Sequence, residues 1–166
     1  MRRLALGLEA AGILVRISLT PGIDRRVINE DALEGCISLM RHHLKNHLLP
    51  ALNQSVSGES PKKKRKSIEG PGWDHVKIYN CVSKPTLHLQ LILMERLDGL
   101  LHAVPKDEQQ ILMLSTGVMA ALEIDCSFST SGRQLQVSMV ALLTSIFRLY
   151  PKNRETVLED LFPILL

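Results

Sequence analysis

Between positions 27 and 48 the apolar side chains Val27, Ile28, Ala32, Leu33, Ile37, Met40, Leu44 and Leu48 recur at steps of three and four. That recurrence is the period of one α-helix face, whereas a half-buried strand would alternate from residue to residue. The period returns in Leu87, Leu91, Met94, Leu97, Leu100 and Leu101, then in Ile111, Leu114, Val118, Ala121 and Leu122. It returns again in Leu135, Met139, Leu142, Ile146 and Leu149. Apolar stretches over 2–19 and 154–165 add a first and a last segment, and no alternating stretch of useful length interrupts the series. Aromatic residues make up only 4% of the chain, which suits helix packing better than a sandwich of sheets. The expectation is an all-α chain of about six helices.

Punctuation marks the joints. Pro21-Gly22 ends the first segment, and Asp24 is the expected N-cap of the second. Pro50 is expected to kink or end that second segment, and Pro85 to interrupt the third. Asp107 with Gln110, and Ser131 with Gln134, read as capping pairs at two further starts. Asn153 reads as the cap of the last segment. The segments 107–124 and 132–150 make a helix–turn–helix unit of about 40 residues, the size of a HEAT repeat. Helices joined by short turns stack as antiparallel neighbours, in a bundle or a solenoid. The apolar ending Leu161-Phe162-Pro163-Ile164-Leu165-Leu166 lacks a polar closing face and is expected of an array cut in mid-repeat.

Residues 53–74 carry no apolar period and combine Ser, Gly, Pro and charge. Such a segment buries too little surface to offset its chain entropy, so a long disordered basic loop is expected there. The chain therefore divides into an N-terminal helical pair (1–52), the loop (53–74) and a run of HEAT-like helices (75–166). Five of the 20 basic residues stand together in the loop, and the rest of the chain sets slightly fewer basic residues against 17 acidic ones. The run Pro61, Lys62, Lys63, Lys64, Arg65 and Lys66 has the form of a nuclear localisation signal that an import receptor could grip as an extended segment. The same run could instead contact nucleic-acid phosphates, with salt-dependent affinity, or stay a solvated loop.

Other chemistry is sparse. Arg41, His42, His43, Lys45 and His47 form a second polar cluster. His43 and His47 are spaced like helical metal ligands, but no third ligand stands near them. The reading is a polar face toward solvent, a partner or a DNA phosphate, with no metal and no cofactor. The acidic pairs, among them Glu30-Asp31 and Glu159-Asp160, lie along helix surfaces beside no nucleophile. No hydrolase elbow, phosphate-cradling glycine loop or Cys/His dyad occurs, so no catalytic residue and no enzyme activity is expected. Cys36, Cys81 and Cys126 read as reduced, buried thiols, and the methionines as core filler. No uninterrupted apolar stretch is long enough for a membrane span. Glu9 breaks the short apolar run behind Arg2-Arg3 that imitates a signal peptide.

Three stretches carry a resemblance. They are Thr20-Pro21-Gly22 through Ser38-Leu39-Met40-Arg41-His42-His43-Leu44 to Leu52; Leu87 to Leu122, with Met94-Glu95-Arg96-Leu97 and Asp107-Glu108-Gln109-Gln110; and Leu135 through Ile146-Phe147-Arg148-Leu149-Tyr150 to Leu161. In order and spacing, with a basic insert after the second helix, they resemble the early HEAT-repeat region of the Nipped-B family, the large subunit of the cohesin loader. The resemblance implies a HEAT-like α-α superhelix in the nucleus, acting as a non-catalytic scaffold in cohesin loading onto chromatin and sister chromatid cohesion. It implies the cohesin kleisin and SMC subunits and DNA as partners. The family's upstream segment that holds the small loader subunit has no counterpart here, so that subunit is not expected to bind. No contact motif is matched, and no partner-contacting residue is carried over. The alternative is an unrelated nuclear adaptor of HEAT or armadillo type.

Overall fold

A computed structural model of the chain describes residues 2–24, 29–50, 75–104, 106–122 and 130–165, with side chains except at 75–84, 120, 131 and 165. Among the described residues every regular element is helical, and there are six α-helices. These are α1 (Arg2–Ser18), α2 (Glu30–His43), α3 (His75–Ala103), α4 (Glu108–Leu122), α5 (Thr130–Leu149) and α6 (Arg154–Leu165). A π turn, Leu44–Leu48, extends α2, and a 3-10 turn, Pro151–Asn153, precedes α6. No helix among the described residues is long and apolar enough to cross a membrane.

The helices lie in two rows. In one, α3 packs between α1 and α5; in the other, α4 packs between α2 and α6. The rows are stitched together by α1 against α2 and by α4 against α5. Most of the expected stripes face this seam; Leu93 joins them, whereas Leu91 is half-buried and Leu149 exposed. Leu33, Ile37, Met40, Leu44 and Leu48 are buried, as are Leu93, Met94, Leu97 and Leu100, then Ile111, Leu114 and Val118, then Leu135, Met139, Leu142 and Ile146. From α1 the core takes Leu8, Ala11 and Val15. Each fully buried aliphatic side chain stabilises the fold by about 1.5–3 kcal/mol before chain entropy is set against it. Met40, Met94 and Met139 are buried in this core, as the sequence expects of flexible filler.

Local chemistry fixes the helix ends. Pro21 and Gly22 follow α1, and Gly22 takes φ +85°, a conformation that a side chain would strain. The start of α2 is capped by Asn29 in place of the expected Asp24. The Asn29 side chain accepts from the Asp31 and Ala32 N–H groups at 2.9 and 3.3 Å. Glu30 and Asp31 add negative charge in that first turn, where the helix dipole favours it. Asp107 caps α4, its carboxylate accepting from the Gln109 N–H at 3.2 Å. Its expected partner Gln110 is buried in the core. Ser131 lies inside α5, which begins one residue earlier at Thr130. Arg154 closes the end of α5: its guanidinium donates to the Phe147 and Arg148 carbonyls at 2.7 and 3.3 Å and lies over the Phe147 ring.

Pro85 does not interrupt α3, which runs from His75 to Ala103 through it. The ring stands on the exposed side of the helix, and the packing of α3 between α1 and α5 outweighs the one hydrogen bond that proline forfeits. Pro50 likewise stands in helical conformation. The expected loop 53–74, Val27, Ile28 and Cys126 lie outside the described residues, as does the Cys81 side chain. Cys36 is buried; its thiol points at the Ala11 carbonyl, and burial pushes its pKa up.

Gly35 offers a stability test. A Cβ built there meets nothing within 4 Å, and the residue is exposed in mid-helix. Gly35→Ala is expected to raise stability by about 0.5–1 kcal/mol through helix propensity alone. A higher urea midpoint with an unchanged slope would bear this out.

Candidate functional site at the histidine-rich π turn

Five residues of the second polar cluster sit where α2 passes into the π turn. The Leu49 N–H bonds back to the Leu44 carbonyl, a five-residue step. A wider turn brings side chains four apart closer to eclipse than an α-helix does. His43 and His47 accordingly stack, with centroids 6.0 Å apart and ring planes 29° from parallel. The His42 ring meets the His47 ring edge-on at 5.5 Å, and its Nδ1 pairs with the Asn46 amide at 2.9 Å.

The three imidazoles differ in burial. His42 is exposed and His47 partly buried, while His43 is 0% exposed. From α3, Gln90 reaches across to it: the Gln90 Oε1 stands 2.9 Å from His43 Nδ1, and the Gln90 amide nitrogen donates to the Met40 carbonyl at 3.3 Å. The second contact orients the amide, so its oxygen accepts and His43 Nδ1 carries the proton. Nε2 is then a bare acceptor, buried without a hydrogen-bond partner. Burial, foremost, holds the His43 pKa below its ordinary value of 6.5; the Gln90 bond opposes that, and His47 and His42 reinforce it. The ring is neutral at neutral pH.

Arg41 turns away from this group and lies along α4, over Gly117. Lys45 is exposed beside it. The turn thus offers solvent a polar patch of Lys45, His42 and the edge of His47. Among the described residues no three His, Cys, Asp or Glu side chains are placed to hold a metal ion. The basic run Pro61–Lys66 lies outside the described residues, so its place relative to this patch is not part of the site. Gln90, the residue that fixes His43, was not among the residues singled out from the sequence. Its signal was there: it stands three residues after Leu87 and four before Met94, a polar side chain on an apolar stripe.

Elsewhere, polar pins join the corners of the rows. The Lys106 N–H donates to the Tyr150 hydroxyl at 3.2 Å, and His102 and Ser145 pair at 3.3 Å. Burial lowers the Lys106 pKa against the pull of Glu30, and raises that of Tyr150.

No family model, curated protein or solved structure matches this chain.

Proposed function

We propose that the chain is a scaffold segment of a Nipped-B-type cohesin loader, a HEAT-like superhelical piece that acts without catalysis in loading cohesin onto chromatin. The reading rests on the resemblance of the three stretches, and the observation that carries it furthest is the two-row stacking. Those stretches fall on α2, on α3 with α4, and on α5 with α6, the order in which a solenoid adds helix pairs. Its partners on this reading are the cohesin kleisin and SMC subunits and DNA. The basic run Lys62–Lys66 serves nuclear import.

Purified chain mixed with the kleisin–SMC trimer and DNA should form a crosslinkable complex. DNA affinity should fall steeply with salt and keep that dependence after residues 61–66 are deleted. Loss of all DNA binding with the deletion, and no crosslink to cohesin, would overturn the reading in favour of an unrelated nuclear adaptor. Separately, deleting 61–66 is expected to abolish nuclear accumulation of a fluorescent fusion too large to diffuse through nuclear pores. An unchanged nuclear signal would remove the import role.

A further inference from the structure

The two rows contain one kind of seat used twice. Helix α3 lies against both α1 and α2, and α5 lies against both α3 and α4. A third seat of this kind, against α5 and α6, is an open groove of about 580 Å³. Leu122, Val140, Leu143, Phe147, Leu158 and Leu161 line it, and Val140 is 52% exposed there. The helix that would fill such a seat needs an apolar stripe on one side.

At the opposite side of the molecule α1 presents such a stripe. Leu6, Ala10, Ile13 and Ile17 follow at steps of four, three and four, and Leu6, Ile13 and Ile17 are 57%, 51% and 51% exposed. The charges match as well. Helix α1 carries Arg2, Arg3 and Arg16 against the single acid Glu9, while α6 carries Glu155, Glu159 and Asp160 against Arg154. Arg154 is itself tied to the carbonyls that end α5, which leaves the α6 wall of the groove acidic.

We propose that the groove between α5 and α6 receives α1 of a second copy of this chain, continuing both rows from one molecule into the next. The contact is head-to-tail, so each copy keeps a free stripe at one side and a free groove at the other. Such a contact does not close on itself as a two-fold dimer does, and it builds open stacks. The inference does not depend on the loading function proposed above.

Sedimentation of the full chain over a wide concentration range tests it. Wild-type mass should climb with concentration past two chains and return on dilution. Ile13→Glu blocks the stripe and Val140→Glu blocks the groove; each variant alone should stay monomeric. Mixed in equal amounts they should form a pair of two chains and no more, because one good stripe then meets one good groove. Circular dichroism confirms that each variant is folded, and Leu158→Glu replaces Val140→Glu if the latter is not. A wild-type chain that stays monomeric throughout, as it would if the groove awaits a different helix, overturns the proposal. So does a mixture that remains monomeric, or aggregation that does not reverse on dilution.

Discussion

Replacing His43 with alanine is expected to destabilise the chain by about 2–4 kcal/mol, a drop readily seen in a urea midpoint. Two costs combine. The ring is wholly inside, so its removal leaves a cavity between α2 and α3 that the neighbouring rows can only partly close. The Gln90 oxygen also loses the donor at 2.9 Å and stays buried without one. Gln90→Leu removes the acceptor instead and strands the His43 Nδ1 proton, so it should also destabilise. The double replacement should cost less than the sum of the two, since each single change leaves one polar group unmatched. Strict additivity would mean that the pair is not an energetic unit.

The same residue sets an acid limit. The unfolded chain binds a proton on this imidazole below about pH 6.5, whereas the folded chain resists it because burial holds the pKa down. Between those two values the unfolded state holds more protons, so stability rises with pH there. The contribution is complete above 6.5 and is lost as pH falls from 6.5 to the depressed folded value. Wild type should therefore lose stability over that window, and His43→Leu should show a shallower slope. A parallel pH profile in the two proteins would place the acid sensitivity elsewhere.

The helices were legible because their stripes are long and point one way: Leu33, Ile37 and Met40 could serve a helix and nothing else. Their stacking in rows joins alternate helices, α1 with α3 and α3 with α5, which no connection between consecutive segments dictates. What escaped the sequence turns on contacts between segments. Pro85 breaks a helix in isolation, and only the grip of α1 and α5 on the rest of α3 carries the helix through it. The cap moved from Asp24 to Asn29 because two candidate cap residues flank one helix start, and local preference ranks them about equally. The π turn left a faint mark in the run Met40, Leu44, Leu48, whose steps of four drift around an α-helix but align on a wider turn. The buried imidazole needed Gln90, which lies 47 residues away along the chain. No local pattern joins that pair.

Gly117 carries the other large expectation. It lies in α4 where α2 crosses, and the Arg41 side chain runs directly over it. A Cβ at this position would collide with Arg41 Cγ and come within 2.7 Å of Cδ. Helix propensity alone would favour alanine by about 1 kcal/mol, so the sign depends on whether the arginine can yield. At Gly12 it can: the only close atom is Nη1 of Arg96, at 2.9 Å, and the tip of a long side chain swings at little cost. At Gly117 the obstruction is Cγ, one bond beyond Cβ, and moving it means changing the first torsion of Arg41 or parting α2 from α4. Overpacking of that kind costs about 1–3 kcal/mol, enough to reverse the propensity gain. Gly117→Ala should therefore lower the urea midpoint while Gly12→Ala leaves it nearly unchanged. Gly117→Ala combined with Arg41→Ala should recover most of the loss, because the colliding atoms are gone. If the double variant is no more stable than Gly117→Ala alone, close packing of Arg41 against α4 is not what requires glycine there.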